Sequence, residues 1–292
     1  MFSGSFVALV TPFTQDHKID FDSYKSLIEW HISSGTAGIV VAGTTGESPT
    51  LSEDEKVELA QVAVETSQGR IKIIVGNGGN NTSACISLTK QLNKVGVDGY
   101  LTVTPFYNNP TDTGLIAHFT AIAQSTQLPI ILYNVPGRTL CDLSNEIVIK
   151  LSELSNVVGI KDATGDLSRV NVLAQHCQLP FVQLSGDDES SLAYCLAGGH
   201  GVISVTANIV PAQMADIQAA IKREDKNQAE ILDQQIAELH KNLFIESNPM
   251  AAKWALFYLK KIKNAVMRLP LVTLSALGRE KIEQTIVDLN IN

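Results

Sequence analysis

"NVVGIKDATGD", residues 156–166, sets a lysine directly after an apolar run, Val157-Val158-Gly159-Ile160. Four such residues, bounded by Asn156 and by the polar stretch after Ala163, read as a short strand buried on both faces, the kind that parallel sheets contain. Lys161 is then the residue that needs explaining. Burial disfavours an ammonium group, and an amine without its charge is a nucleophile able to condense with a carbonyl. The plainer alternative is a strand end open to water, with Lys161 solvated there.

Working outward, the same kind of run recurs at a regular beat: "SFVALVTPF" 5–13, "GIVVAGT" 38–44, "KIIVGN" 72–77, "GYLTVTP" 99–105, "PIILYNV" 129–135, "FVQLSGD" 181–187 and "GVISVTA" 201–207. With "VVGIKDA" 157–163 this makes eight. Helix-length amphipathic segments lie between them, and some carry start signals. Ser52 with Glu55 forms a capping box, and Asp20 is placed to cap "FDSYKSLIEWHIS". Strands alternating with helices imply right-handed crossovers and a parallel sheet, and eight units favour a closed (β/α)8 TIM barrel over an open doubly wound sheet. The fold class is therefore α/β, with residues 1–211 as the catalytic barrel. Residues 212–292 read as a C-terminal helical appendage packed on it. There Ala229, Leu232, Ile236, Leu239 and Leu243 make an apolar stripe, and Pro249 opens a further helix.

The totals narrow the function. A chain of 292 residues with 45% hydrophobic residues can bury a sizeable core, and a net charge of −8 with no Lys/Arg block argues against nucleic acid or an anionic membrane as partner. A small molecule is the expected ligand. The four cysteines, Cys85, Cys141, Cys177 and Cys195, stand far apart and read as reduced packing residues, with zinc a remote second. The six histidines show no HxH or HExxH spacing, so no metal site is expected. The N-terminal apolar run is too short to span a bilayer, and the expected location is cytoplasmic.

Barrel chemistry sits at the C-terminal ends of the strands, so the residues there can be read together. Thr44 and Thr45 follow the second strand, Tyr107 the fourth, Tyr133 and Arg138 end and follow the fifth, and Lys161 ends the sixth. Hydroxyls, two tyrosines, an arginine and a lysine at one rim suit a small keto acid: imine formation on the lysine, proton movement by a tyrosine, carboxylates held by hydroxyls or guanidinium. Each has a plainer reading when taken singly. The threonines could satisfy turn backbone, the tyrosines could be packing residues, and Arg138 could be a surface ion-pair partner. "LAGGHGV" 196–202 could cradle a phosphate, or simply let strands pack closely.

Taken together, "GTTGE" 43–47, "YNVPGRT" 133–139, "GIKDATGD" 159–166, "SGDD" 185–188 and "GGHGVISVTAN" 198–208 resemble the pyruvate-dependent class I aldolase family, and within it the dihydrodipicolinate synthases. The likeness covers essentially the whole chain. It implies that Lys161 forms a Schiff base with pyruvate and that Tyr133 relays protons. Thr44 would bridge Tyr133 to a Tyr107 supplied by the neighbouring subunit of a dimer. Thr45 would help hold the pyruvate carboxylate and Arg138 that of L-aspartate 4-semialdehyde, while Gly186 and Ile203 would contribute backbone groups. It also implies no metal or redox cofactor, and a homotetramer built as a dimer of dimers. The competing readings are a lyase for N-acetylneuraminate or another 2-keto-3-deoxy sugar acid, and a non-catalytic keto-acid sensor. Lysine-inhibited members bind lysine in a cleft matching residues 49–56, 80–84 and 106. Here Lys56, Ala84 and Phe106 depart from their pattern, with Asn80 retained and Glu53 nearby, which implies weak or absent inhibition.

Overall fold

The structure, a computed structural model, describes residues 2–178 and 180–291. Its first half runs β1 Gly4–Ala8, α1 Phe21–Ser33, β2 Gly38–Val41, α2 Glu53–Ser67, β3 Lys72–Gly76, α3 Thr82–Leu92, β4 Gly99–Val103 and α4 Asp112–Ala123. Then come β5 Ile130–Asn134, the single turn α5 Pro136–Thr139, α6 Asn145–Leu151, β6 Val157–Asp162, α7 Ser168–His176, β7 Val182–Ser185, α8 Ser191–Leu196, β8 Gly201–Ser204 and α9 Pro211–Lys222. α10 Lys226–Asn242, α11 Met250–Tyr258 and α12 Ala276–Asp288 complete the chain. Every strand falls on one of the eight runs anticipated from the sequence, and they pair in parallel and in chain order, with β8 returning to β1 to close the barrel.

The strands read as almost continuously apolar because both of their faces are covered. Phe6, Val40, Ile74, Leu101, Ile131, Leu184 and Ile203 fill the barrel interior, while their neighbours Val7, Ile39, Val75, Leu132 and Ile160 pack outward against the helices. Each buried side chain of this kind contributes about 1.5–3 kcal/mol. A barrel held from both sides can therefore carry unfavourable polar groups at its rim. Two glycines allow close approach: a Cβ on Gly38 would fall 2.0 Å from the Phe6 ring, and one on Gly201 would fall 2.2 Å from the Gly4 carbonyl oxygen. Gly201, which ends the glycine-rich segment and opens β8, thus serves barrel closure, in line with the close-packing reading of "LAGGHGV".

Helix starts follow the sequence signals. The Asp20 carboxylate accepts from the Ser23 amide at 3.1 Å, and Ser52 and Glu55 exchange hydrogen bonds at 3.1 and 2.9 Å in a capping box. Ala229, Ile236, Leu239 and Leu243 are buried as the stripe required, with Leu232 packed at its edge. A division at residue 211 falls on the first residue of α9, which packs on β1. We propose that the barrel unit extends through α9 and that the helical appendage begins at α10. All four cysteines are buried and unpaired. Among the described residues, no helix is long and apolar enough to cross a membrane.

Candidate active site

Register decides which side chains share the barrel mouth. Tyr133 on β5 is the direct partner of Lys161 on β6, which in turn faces Leu184 on β7. Alternation points Ile160 outward and Lys161 inward, above Gly159. The amine lies 4.2 Å from the centroid of the Tyr133 ring. Lys161 is only 5% exposed and makes no hydrogen bond to a described residue.

A second buried lysine supplies the contrast. Lys253 on α11 has no exposed surface, and its amine donates to Glu47 Oε1 at 2.6 Å and to the Val266 carbonyl at 2.7 Å, over the face of Phe13. Burial lowers its pKa to about 8 while the Glu47 carboxylate opposes the shift. That amine is occupied by structural partners. The amine of Lys161 is free to react, so it is geometry rather than burial that separates the two.

The backbone around Lys161 is fixed from behind. Asp162 points away from the mouth, where its Oδ2 accepts from Arg169 Nε at 2.7 Å and its Oδ1 accepts from the Thr164 amide and hydroxyl at 2.9 and 2.6 Å. Arg169 also donates to the Leu143 carbonyl at 2.8 Å, so this buried ion pair is tied to the segment before α6. In front, Gly186 leaves the path of the lysine stem open. A Cβ there would fall 2.9 Å from Lys161 Cε, 3.1 Å from Lys161 Cγ and 2.8 Å from Ala163 Cβ.

A cavity of about 180 Å³ brings together Lys161, Tyr133, Thr44, Thr45, Arg138 and Gly186. It joins a second hollow of about 480 Å³ that shares Thr44, Tyr133 and Arg138 and runs on to Lys56 and Phe106. Six of the eight residues anticipated from the sequence therefore meet at one mouth. The other two do not line it. Ile203 sits in the interior layer, and Val205, two residues on, reaches the cavity instead. Tyr107 is 91% exposed, has a left-handed φ of 76°, and lines neither hollow of its own chain. Thr44 makes no direct hydrogen bond to Tyr133. A larger hollow of about 600 Å³ at the opposite end, where β5 and β6 begin, has no lysine, arginine or tyrosine among its described lining residues. The sequence reading missed Asp187, Phe244 and Asn248, which also line the mouth. Phe244 and Asn248 come from the connection between α10 and α11, and the one local signal for the latter was a polar residue at the break before Pro249.

A closed parallel barrel with an unpaired lysine amine set against a phenol at its C-terminal mouth is the architecture of the imine-forming, class I aldolases. The chain belongs to the dihydrodipicolinate synthetase family, whose model matches residues 1–289. It is 46% identical over 284 residues to the 4-hydroxy-tetrahydrodipicolinate synthase of Pseudoalteromonas atlantica, covering 97% of each chain. To that of Idiomarina loihiensis it is 47% identical over 291 residues, covering 100% of this chain and 98% of the other. Among solved structures, a chloride-inhibited dihydrodipicolinate synthase from Acinetobacter baumannii, complexed with pyruvate, superposes with a TM-score of 0.97 at 45% identity over the full length of both chains.

Proposed function

We propose that this chain is an enzyme that condenses pyruvate with L-aspartate 4-semialdehyde to give 4-hydroxy-tetrahydrodipicolinate, by way of a Schiff base on Lys161. The observation that carries the reading is the Lys161 amine, buried at the mouth, unpaired and 4.2 Å from the centre of the Tyr133 ring. The amine attacks the ketone carbon of pyruvate and the carbinolamine loses water to leave an imine. Loss of a proton from the adjoining methyl group gives an enamine, whose carbon bonds to the aldehyde carbon of the second substrate. The amino group of that substrate then attacks the imine carbon, closes the ring and releases Lys161. Tyr133 carries the protons these steps require, a task suited to a phenol whose ring lies beside the reacting nitrogen.

The remaining roles rest on the family likeness together with position. Thr45 donates to the pyruvate carboxylate, and Gly186 keeps the lysine stem unobstructed. Arg138, exposed at the rim, takes the carboxylate of the larger and later substrate with its planar fork. Thr44 links Tyr133 to a Tyr107 donated by a second copy of the chain. A tyrosine almost wholly exposed and held at a φ that non-glycine residues rarely adopt supports that donation. The assembly we propose is a dimer of dimers, working in the cytoplasm, in the diaminopimelate and lysine pathway.

Borohydride reduction in the presence of pyruvate tests the reading. One covalent adduct per chain, mapped to Lys161, is the expected result. An adduct on Lys90, Lys94 or Lys253 refutes the mechanism. A protein that traps pyruvate but cleaves N-acetylneuraminate in place of condensing the semialdehyde would keep the chemistry and overturn the substrate.

A further inference from the structure

Thr45 sits in a loop whose side chains are held from more than 200 residues away. Asn248 Nδ2 donates to the Thr45 hydroxyl at 2.9 Å, and five residues on, Lys253 holds Glu47 of the same loop. Thr45 is 2% exposed, Asn248 is 6% exposed, and both line the cavity that contains Lys161. A hydroxyl has one proton to give and two lone pairs to receive with. One lone pair of Thr45 is taken by the Asn248 amide, and no described residue accepts the Thr45 proton. With one lone pair occupied and its proton unclaimed, the hydroxyl is biased toward donating into the cavity, the polarity that a carboxylate requires.

We propose that Asn248 is the positioning residue that fixes Thr45 as a hydrogen-bond donor, and so makes the site selective for the carboxylate of its first substrate; this rests on the pyruvate-condensing reading above. Asn248 Oδ1 is buried and has no partner among the described residues. The side chain is therefore not retained to complete a closed polar network; the hydrogen bond it makes is the one to Thr45. The helical appendage consequently takes part in substrate selection through a single amide, besides covering the barrel.

The geometry separates Asn248 from a residue that only packs. Replacing it by alanine frees the hydroxyl to rotate, which weakens the ligand carboxylate and leaves the amine of Lys161 untouched. Replacement by aspartate is worse, because a carboxylate takes the Thr45 proton for itself and repels the anion that should receive it. Were the amide seated the other way, with its oxygen on Thr45, aspartate would be the milder change.

The test is a double-mutant cycle on steady-state kinetics with Thr45→Val, Asn248→Ala, the double variant and Asn248→Asp. Loss of one hydrogen bond to a charged group predicts that Thr45→Val raises the KM for pyruvate about 10- to 100-fold. Asn248→Ala should raise it about 10-fold, the double variant should be no worse than Thr45→Val alone, and Asn248→Asp should exceed Asn248→Ala. The KM of the semialdehyde and kcat at saturating pyruvate should stay within about threefold of wild type, a split that general loosening of the mouth would not give. Additive effects, equal loss in kcat, or an aspartate variant milder than alanine would overturn the proposal. Wild-type enzyme is trapped with pyruvate and borohydride alongside. If it forms no adduct, the functional reading fails and this inference with it. If it forms the adduct and the cycle is additive, this inference alone fails.

Discussion

Replacing Gly186 by alanine places one methyl group against the nucleophile and leaves every polar group of the site in place. Gly186 does not have a positive φ, so the added carbon meets no backbone penalty of its own, and its whole effect is contact. That carbon would lie 2.8 Å from Ala163 Cβ, 2.9 Å from Lys161 Cε and 3.1 Å from Lys161 Cγ. Carbon atoms at rest lie about 3.5–4.0 Å apart, so each neighbour must yield by roughly 0.5–1 Å. Ala163 Cβ is fixed to the backbone, whereas the lysine stem can swing, and most of the displacement therefore falls on Lys161. Overpacking of this size costs about 1–3 kcal/mol, and misplacing a reacting atom by about 1 Å costs on the order of 100-fold in rate. Gly186→Ala should therefore lower kcat roughly 100-fold and slow borohydride trapping of pyruvate to a similar degree. Its Tm should fall by no more than a few degrees. Adding Lys161→Ala removes two of the three clashes, so Gly186→Ala should cost less stability in that background than in wild type. A Gly186→Ala enzyme that keeps kcat within about threefold of wild type would refute the reasoning.

Further outcomes follow from the same site. Tyr133→Phe should lower turnover by about two to four orders of magnitude with little change in Tm, the range for a positioned proton carrier; an unchanged kcat assigns that role elsewhere. Arg138→Ala should raise the KM of the semialdehyde more than that of pyruvate, and equal effects on both would contradict the position given to it. Lysine should inhibit weakly or not at all: Lys56 lines the hollow beyond the mouth as a cation, whose pKa is lowered chiefly by burial, and Ala84 offers no carboxylate. Half-inhibition at submillimolar lysine, in a titration with saturating pyruvate, would refute this. His31 is buried and burial depresses its pKa to about 3, so the unfolded chain binds the extra proton first as pH falls below about 6.5. Stability from the neutral imidazole is complete above that value and declines on the way to pH 3. Denaturation midpoints at pH 7 and pH 5 should differ by less in His31→Gln than in wild type.

The periodic features were the legible ones. Eight apolar runs gave the strands, alternation put Lys161 and Tyr133 on inward faces, and Ser52 with Glu55 marked a helix start, because each of these patterns is set by near neighbours in the chain. Contacts between distant segments left no such trace. Asn248 reaches Thr45 across 203 positions and Lys253 reaches Glu47 across 206, and nothing local in "ESNPMAAKWAL" distinguishes a side chain that points into a barrel mouth from one that caps a turn. An amine among apolar residues makes Lys161 conspicuous in the sequence, and Lys253 in "PMAAKWALFY" is equally so. Only the partners separate them: a carboxylate and a carbonyl for Lys253, and an open cavity for Lys161. Tyr107 shows the same limit from the other side, since its exposed ring is placed by one chain and used, on our reading, by another.

The long clamps on the loop after β2 also bear on how the protein is made. A ribosome releases residues 43–47 early, yet the donors to that loop, Asn248, Lys253 and the amide of Arg268, lie 203 to 221 residues later. A growing chain can lay down every barrel strand and still lack the amide that orients Thr45 and the cation that neutralises Glu47. The mouth is thus among the last parts of the molecule to be finished, because the order of synthesis leaves the loop after β2 without these three donors until the helical appendage has emerged.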